Sequence, residues 1–294
     1  MERPTIQRLG GDRLHLSHGP IDVVLRAWGP DREVAQAYGA AARCFGGILP
    51  DLVAELGELR RPACERPAVE GRVARRMVAA VLPFEGVFVT PMAAVAGSVA
   101  DELLAAMRRA AELTKAFVND GGDIAIHVAP GESLAIGIAG DFSAAPIPAL
   151  NGSMLLRAQD GIGGIATSGF NGRSFSMGIA DSVTVLAANA AAADAAATLV
   201  ANAVTVDTSA VKRRPASVLD PDSDLGDWLV TTHVGALAPA EVRAALASGR
   251  SEAERFLARG LIRGAVLMLR GDAVAVGTPA LLSRADREGA RAWA

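Results

Sequence analysis

The sequence predicts an α+β fold in which mostly antiparallel sheet layers pack against alanine-rich helices. Strand-like runs follow one another around short turns and mix with helical segments without a strict βαβ rhythm, which disfavours a doubly wound parallel sheet. Apolar residues make up 51% of the chain but aromatic residues only 4%, so the core must be packed from small side chains. A chain of 294 residues can form one domain over 1–294 or two intimately joined lobes, and the composition draws no boundary between them.

The first 113 residues predict a hairpin and four helices. The hairpin pairs residues 13–16 with 21–28 around a His-Gly-Pro turn. Asp31 and Thr90 are typical N-cap residues, and Pro50 starts a new segment because it cannot continue a helix easily. The predicted helices cover 31–44, a short segment from 50, 73–81, and 91–113 after the Thr90 cap.

The middle of the chain predicts strands at 115–118, 123–128, 133–138, 153–157, 165–167 and 182–187. The first three are separated by Asn-Asp-Gly-Gly and Pro-Gly-Glu turns, which predicts an antiparallel meander. Asn189 is the expected cap of a helix over 190–204, and the polar, proline-containing segment 207–230 predicts a long excursion. Two short helices from 239 and 251 and a hairpin over 261–276 complete the chain.

Charge and hydropathy argue against nucleic-acid and membrane partners. The net charge is −3, and the densest basic segment, 72–76, has no interleaved aromatic residue, so we interpret it as a solvated helix face. The longest apolar-rich segment, 187–206, contains five polar residues, which argues against a membrane span. The N-terminus has neither an apolar signal region nor a lipobox cysteine, so a cytoplasmic protein is expected. Cys44 and Cys64 form no CxxC pair and are expected to be buried free thiols.

The first candidate site lies on the predicted helix 190–204, where Asp194 and Thr198 are four residues apart and share one face. Nearly all their neighbours are alanines, which let another backbone or a ligand come close. A carboxylate and a hydroxyl on one face suit a hard cation such as Mg²⁺, which keeps water ligands and accepts substrate phosphates. The structural alternative stays open: the aspartate caps a helix or pairs with a cation, and the threonine bonds back to its own helix.

Three further segments combine small and polar residues. Segment 119–124, Asn-Asp-Gly-Gly-Asp-Ile, permits positive φ, and its exposed N–H groups suit an anion or a ring edge, although turn chemistry is the alternative. Segment 90–101 crowds six small residues around one helical turn, which allows either tight packing or a ligand. Segment 166–169, Ala-Thr-Ser-Gly, ends a strand, and a simple turn is its alternative. His127 could face the same site, but a lone strand histidine is more often structural.

In their order along the chain, these four segments resemble motifs of the ApbE proteins, the FAD:protein FMN transferases. The transferases' Gly-Ala-Ile-Ala-Lys-Gly…Asp helix is similar to 92–101, and their Asn-x-Gly-Gly-Asp-Ile loop is similar to 119–124. Their Thr-Ser-Gly turn resembles 167–169, and their Ala-Asp-x-x-x-Thr helix resembles 193–198. A branch of that superfamily with no assigned reaction resembles nearly the whole chain, through the segments 18–22, 90–97 and 264–267.

The resemblance implies an ApbE-like fold that holds a flavin nucleotide, FAD or FMN, beside Mg²⁺. It implies that Asp194, Thr198 and the backbone carbonyl of Ala93 bind the metal, with Asp194 and Thr198 in the catalytic centre. The metal would polarise the pyrophosphate as a phosphoryl bond breaks. The candidate nucleotide-binding residues are Asn119, Gly121, Gly122, Asp123, Asp101, Ser168 and Gly169, together with Arg173, whose place on the next loop suits a bidentate phosphate contact.

Two departures from the transferase pattern leave the reaction open. The interval 170–181 contains neither the His nor the Asp-Pro of the transferases' His-x-x-Asp-Pro segment, which removes a candidate general base. Ala96 stands where the transferases have a lysine, which removes a positive contact to phosphate. Three interpretations therefore remain: an Mg²⁺-dependent enzyme that cleaves FAD or transfers FMN to an acceptor protein, a non-catalytic cofactor-binding or carrier protein, or the fold reused for an unrelated small molecule. A homodimer is compatible with the alanine-rich helices, but no motif indicates one.

Overall fold

A computed structural model describes residues 3–84, 86–141 and 149–277 of the chain. The strands in these residues are β1 (Thr5–Leu9), β2 (Arg13–His18), β3 (Ile21–Trp28), β4 (Lys115–Asp120), β5 (Asp123–Val128), β6 (Ser133–Asp141), β7 (Ala149–Arg157), β8 (Gly164–Ser168), β9 (Ser182–Ala187), β10 (Val211–Pro215), β11 (Leu229–Val234), β12 (Gly264–Leu269) and β13 (Asp272–Gly277). The helices are α1 (Asp31–Ala54), α2 (Leu56–Leu59), α3 (Arg72–Val81), α4 (Val95–Ala110), α5 (Ala190–Ala203), α6 (Ala216–Leu219) and α7 (Pro239–Ala258). Antiparallel strands packed with helices confirm the predicted α+β class.

The chain divides into two compact units. The first comprises the residues up to Ser133, Arg157–Ala166 and Leu186–Ala195. The second comprises Leu134–Leu156, Thr167–Val185 and the residues from Ala196 onwards. β8, β9 and α5 contribute residues to both units.

The first unit is built on an antiparallel meander of neighbouring strands β1, β2, β3, β4 and β5. Strand β2 pairs with β3 so that Leu14 lies opposite Leu25 and Leu16 opposite Val23, and all four side chains are buried. This alternation of buried and exposed positions is typical of a sheet with one covered face, and it confirms the predicted hairpin. Strand β1 was not predicted, because its residues are nearly all exposed and show no apolar face.

Strand β5 pairs with the first residues of β8, so the predicted meander is wrong at β6. Ile124 lies opposite Ile165 and Ala125 opposite Gly164, while β6 forms a separate pair with β7. Glycine at 164 lets the start of α5 lie close to β8, because a Cβ there would lie 2.1 Å from the carbonyl carbon of Asn189. Short local turns predicted a meander, whereas the pairing of Ile124 with Ile165 joins segments that are distant in the sequence.

Helix α1 runs from Asp31 to Ala54 through Pro50, so the two predicted helices are one. The apolar face is continuous across the proline, since Phe45, Ile48 and Leu52 are all buried in the same core cluster. Burial of this face stabilises a helix that Pro50 alone would interrupt. The helix starts at Asp31 with Pro30 as its N-cap, and no side chain caps it.

The long predicted helix over 91–113 begins and ends differently in the structure. Residues Pro91–Ala94 form a 3₁₀ turn, and α4 starts at Val95 and ends at Ala110. Thr90 precedes the 3₁₀ turn without making a side-chain capping bond. Helix α4 is the central helix of the first unit, because Val99, Leu103 and Met107 on it are fully buried. Neither α4 nor α5 has an acidic residue of its own in its first turn.

The second unit contains the neighbouring strands β9, β12 and β13 and the pair β10–β11. Strands β12 and β13 confirm the predicted final hairpin. Helix α7 is continuous, whereas two short helices were predicted, because its buried face runs through Gly249, where a Cβ would lie 2.3 Å from the side chain of Val204. Segment 207–230 is more ordered than the predicted excursion, since it contains β10 and α6.

None of the helices in the described residues is long and apolar enough to cross a membrane. Both cysteines are free, but only Cys44 is partly buried, and Cys64 is exposed. The expectation that both thiols are buried is therefore wrong for Cys64, which is an exposed residue of the 3₁₀ turn Ala63–Glu65.

Candidate functional site

The starts of α4 and α5 approach each other closely within the first unit. A Cβ added to Gly97, in the first turn of α4, would lie 2.3 Å from the carbonyl oxygen of Ala190 and 2.8 Å from the nitrogen of Ala191. Only glycine allows this contact, because real Cβ atoms do not approach backbone atoms so closely. The small residues of segment 90–101 thus serve helix packing at Gly97, which was one of the two predicted uses.

Asp101, on α4, caps the start of α5. Its two carboxylate oxygens accept hydrogen bonds from the backbone N–H groups of Ala190 (3.1 Å) and Ala191 (2.9 Å). Asn189 adds the predicted local cap, since its side-chain oxygen accepts from the N–H of Ala192 at 2.8 Å. Burial is the largest influence on Asp101 and raises its pKa, although the two backbone hydrogen bonds oppose the rise. These contacts favour a structural role for a residue that the resemblance placed in the nucleotide site.

Asp194, on α5, caps the start of α4 in return. Its carboxylate accepts a hydrogen bond from the N–H of Gly97 at 3.0 Å and a second from the N–H of Ala96. The two helices therefore cap each other, each supplying an aspartate from its second turn to the first turn of the other. A free helix N-terminus carries unpaired N–H groups and partial positive charge, so a carboxylate there is stabilising.

Negative charge surrounds Asp194 more than Asp101. Burial raises the pKa of Asp194 well above its ordinary value of 3.8, and the charge of Asp123 raises it further. Asp120 acts in the same direction, while the hydrogen bonds from Gly97 and Ala96 oppose the rise. The carboxylate is thus partly buried beside other acidic groups, which is an unfavourable place for a negative charge without a cation.

The β4–β5 turn supplies these acidic neighbours. Asp120 and Asp123 are paired across the hairpin, on either side of two glycines with positive φ, 65° at Gly121 and 116° at Gly122. Asn119 closes the turn, since its side-chain oxygen accepts from the N–H of Gly122 at 2.9 Å. A Cβ on Gly122 would meet no atom within 4 Å, so open space lies beside the turn. The turn chemistry that was the structural alternative is present, and it leaves room for a ligand.

Besides Asp194, the predicted metal ligands are the backbone carbonyl of Ala93 and the hydroxyl of Thr198. Ala93 lies in the 3₁₀ turn that leads into α4. Thr198 lies on α5 one turn after Asp194 and is partly buried. In the described part of the chain, no group of three or more His, Cys, Asp or Glu side chains is placed to hold a metal ion. A metal at Asp194 would therefore need further oxygens from hydroxyl, carbonyl, water or phosphate groups.

The remaining predicted residues belong to the second unit. Ser168 is partly buried and Arg173 is exposed. Gly169 has a packing role, because a Cβ there would lie 2.5 Å from the carbonyl oxygen of Asp181. Their part in nucleotide binding stays a prediction.

His127 fits its structural alternative. A ring nitrogen, Nε2, lies 3.1 Å from the carbonyl oxygen of Leu113, and burial, followed by the positive charge of Arg108, lowers the pKa of the imidazole. The mutual capping of α4 and α5 was not predicted. Its only sequence signal was that Asp101 and Asp194 each lie on a helix without an acidic first turn of its own.

The chain was compared with models of known protein families. A family model described as AbpE bacteria matches residues 6–275. The chain belongs to this family. The match confirms the predicted ApbE-like membership and includes both aspartate caps and the β4–β5 turn.

Solved structures with a similar fold were also found. The chain is similar to the ApbE protein of Thermotoga maritima, with a TM-score of 0.47, 13% identity, and coverage of 95% of this chain and 98% of that one. It is also similar to the flavinyl transferase ApbE of Pseudomonas stutzeri in its apo form, with a TM-score of 0.43, 13% identity, and coverage of 95% and 96%. A comparison with curated proteins found no match.

Proposed function

We propose that this member of the AbpE_bact family binds a flavin nucleotide, FAD or FMN, together with Mg²⁺, where Asp194 meets the start of α4. The observation that carries the proposal is the position of this carboxylate, which is partly buried and lies among other acidic groups at a helix N-terminus. The motif resemblance supports the same location, because the segments 92–101, 119–124 and 193–198 supply the start of α4, the β4–β5 turn and Asp194.

The donor groups at Asp194 fit a hard cation. A carboxylate has about four acceptor positions, and the N–H groups of Ala96 and Gly97 use two of them. A divalent cation beside Asp194 would offset the repulsion from Asp123 and favour the ionised carboxylate. Asp194 would hold the metal, joined by the hydroxyl of Thr198 on the next turn of α5 and by the carbonyl of Ala93. When bound, Mg²⁺ supplies charge neutralisation at a pyrophosphate.

The nucleotide would reach this site by way of the metal and the β4–β5 turn. Asp194 already occupies the N–H groups of Ala96 and Gly97, so these amides are not available to hold phosphate directly. The open space beside Gly122 offers a place for part of the nucleotide next to the exposed backbone of the turn. Gly121 and Gly122 maintain this open backbone, because their positive φ values disfavour residues with a Cβ.

One activity consistent with this site is cleavage of the FAD pyrophosphate, with release of FMN or its transfer to an acceptor protein. Binding without transfer is the second candidate, and the interval 170–181 favours it. In place of the transferases' His-x-x-Asp-Pro segment, this interval is used for packing in the second unit. The side-chain oxygen of Asn202 accepts from the N–H of Met177 at 2.9 Å, and a Cβ on Gly178 would lie 1.9 Å from the carbonyl oxygen of Ala201.

Calorimetric titration of the metal-stripped protein with FAD, with and without Mg²⁺, tests the proposal. We expect binding that weakens at least about tenfold without Mg²⁺ or in the variant Asp194→Asn, since the loss of one charge-assisted ligand costs about 1.5–3 kcal/mol. Asp22→Asn is the control, because Asp22 is an exposed strand residue paired with His15. Equal binding by wild type and Asp194→Asn would show that Asp194 does not bind the metal.

Chromatography of the same mixtures separates the candidate functions. Release of FMN and AMP identifies an enzyme, and addition of candidate acceptor proteins then tests transfer. Binding without release identifies a carrier. A protein that binds no FAD under any of these conditions has a different ligand, and the flavin proposal fails.

A second variant tests the β4–β5 turn. Gly122→Ala adds a methyl group to the open space and also strains the backbone at φ 116°. Gly131→Ala is the matched control, because Gly131 has a φ of 85° with no atom within 4 Å of its added Cβ and lies in the next turn of the chain. We expect weaker FAD binding only in Gly122→Ala. Equal affinities in the two variants would place the nucleotide elsewhere.

A further inference from the structure

Four arginines surround a surface depression on the first unit, between α3 and α4. Arg72, Arg75 and Arg76 lie on one face of α3, and Arg109 lies near the end of α4. We call these four residues the arginine cluster. The depression has a volume of about 340 Å³, and Ala79 and Glu102 complete its lining.

Glu102 holds three of these arginines in place. Its side chain is only 4% exposed, and its two carboxylate oxygens lie 2.9 Å from Arg109, 3.0 Å from Arg76 and 3.5 Å from Arg72. Burial alone would raise the pKa of Glu102, but hydrogen bonds from Arg109 and Arg76 lower it, so the group is an anion at neutral pH. A single buried carboxylate therefore orders three guanidinium groups around one point.

The cluster has more positive charge than Glu102 can neutralise. Four arginines and one carboxylate give the lining a formal charge of +3. The side chains of Arg72, Arg76 and Arg109 remain 69%, 37% and 53% exposed while they contact Glu102. Each guanidinium has five N–H donors, so donors remain available on the solvent side of these ion pairs. Arg75 is exposed and takes no part in the ion pairs with Glu102.

An adjoining depression of about 480 Å³ limits where an anion can lie. It shares Arg72, Arg75 and Glu102 with the first depression, but it also contains Asp51, Glu55 and Glu70. Its formal charge is −2, from two arginines and four carboxylates. An anion is therefore attracted to the side of Arg76 and Arg109 and repelled from the side of Asp51.

We propose that the arginine cluster binds a small, multiply charged phosphate anion, either inorganic or the phosphate end of a metabolite. Planar guanidinium groups match phosphate oxygens through paired N–H donors, and their weak hydration favours this contact over binding by lysine. Three of the groups are ordered by Glu102 before any ligand arrives, which lowers the entropy cost of binding. The small volume and the acidic neighbour favour a compact anion over a nucleic-acid strand.

This site is independent of the proposed flavin site. It uses α3 with Glu102 and Arg109 of α4, whereas the flavin site uses the starts of α4 and α5 and the β4–β5 turn. It also changes our interpretation of segment 72–76, which the sequence analysis described as a solvated helix face. The helix face is solvated, but Glu102 and Arg109 of α4 complete the lining of a shallow surface depression beside it.

Calorimetric titration with pyrophosphate, in EDTA and at low ionic strength, tests the proposal. Arg75→Gln is the informative variant, because it removes a guanidinium without exposing Glu102. We expect it to weaken pyrophosphate binding about tenfold, as for the loss of one contact between charged groups. Arg250→Gln is the control, since Arg250 is also a half-exposed helix arginine, 56% exposed and paired with Glu254 four residues later.

Two comparisons complete the test. Asp194→Asn should bind pyrophosphate as wild type does, so a failure of the flavin proposal and a failure of this one are distinguishable. Titration with inorganic phosphate and with ADP shows whether a free anion or a phosphorylated metabolite fits better. The proposal fails if wild type does not bind any of the three, if Arg75→Gln and Arg250→Gln bind equally, or if only Asp194→Asn loses binding.

Discussion

Two aspartates make nearly the same contact at the starts of α4 and α5, but their surroundings differ. Each carboxylate oxygen of Asp101 accepts a hydrogen bond from one backbone N–H of α5, and the nearby charges of Arg76 and Glu102 act on its pKa in opposite directions. Asp194 gives its carboxylate to the first turn of α4, but Asp123 and Asp120 add negative charge. The nearby charges therefore partly offset each other at Asp101, whereas the acidic neighbours of Asp194 add to the effect of its burial. Capping geometry alone does not separate a structural aspartate from a candidate ligand, whereas the charges around it do.

Gly97→Ala should lower the stability of the protein most, because the new side chain pushes the starts of α4 and α5 apart and disturbs both caps. The new Cβ would lie 2.3 Å from the carbonyl oxygen of Ala190, and a backbone atom cannot move aside as a flexible side chain can. We expect a loss of about 3 kcal/mol in the free energy of unfolding, at the upper end for overpacking. Urea denaturation measures it.

Gly46→Ala is the control for Gly97→Ala. Gly46 also lies within a helix, α1, but its added Cβ would meet no atom within 4 Å. We expect this variant to gain up to about 1 kcal/mol, because alanine is the better helix former. If both alanine variants are equally stable, α4 and α5 are not held in close contact.

Asp101→Asn should have the next largest effect on stability. It weakens one cap while the size of the side chain stays the same. The amide supplies one oxygen for Ala190 or Ala191, and its NH₂ group then faces the N–H that lost its acceptor. A buried donor without a partner costs about 1–3 kcal/mol, so we expect a loss of about 2 kcal/mol in urea denaturation. Asp22→Asn should be nearly neutral, since Asp22 is exposed. A neutral Asp101→Asn would mean that water can replace the cap.

Much of the local structure was predictable from the sequence, because it depends on neighbouring residues. The hairpins β2–β3 and β12–β13, the cap at Asn189 and helix α5 follow from alternation and capping patterns. The pairing of β5 with β8 was not predictable, because it joins strands that are distant in the sequence, whereas the turns favour pairing with the next strand. Helices α1 and α7 were each predicted as two helices, separated near Pro50 and near Gly249. Local helix propensity does not show that one buried face runs through the whole helix.

For the candidate site, the sequence predicted that three segments lie together, but not how their side chains are arranged. Motif order brought Asp194, the β4–β5 turn and the start of α4 into one hypothesis, and the first unit places them in one region. The exchange of caps between Asp101 and Asp194 had only a weak sequence signal, which is that neither α4 nor α5 has an acidic residue in its own first turn. The arginine cluster was hidden for the same reason, because Glu102 and Arg109 lie 21 and 28 residues beyond the end of α3. Contacts between helices distant in sequence carry no local pattern.

Asn189→Ala should lower the free energy of unfolding less than Asp101→Asn does. The comparison measures how much each of the two caps stabilises α5. Asn189 bonds only the N–H of Ala192, whereas Asp101 bonds two others. Loss of a side-chain cap costs about 1 kcal/mol, and hydrogen exchange at Ala192 should quicken more than at Ala190. If Asn189→Ala costs as much as Asp101→Asn, the local cap dominates.

Asp194→Asn should change stability least at neutral pH, because the loss of a charge-assisted cap is offset by relief from Asp123. We expect a net change below about 1 kcal/mol. The dependence on pH is the sharper measurement. The pKa of Asp194 is raised in the folded state above 3.8, so the folded protein keeps a proton that the unfolded chain has lost. Its contribution to stability is therefore full below about pH 4 and falls as pH rises through the folded pKa, with a slope of at most about 1.4 kcal/mol per pH unit.

Urea denaturation of wild type and Asp194→Asn at several pH values isolates this contribution, because other titrating groups cancel in the difference. The advantage of wild type over the variant should shrink as pH rises, and more steeply than for Asp101→Asn. Mg²⁺ should restore it at neutral pH in wild type alone, because a cation binds the ionised carboxylate. A difference that does not vary with pH would mean that burial and the acidic neighbours do not raise the pKa of Asp194. The case for a cation at the start of α4 would then be lost.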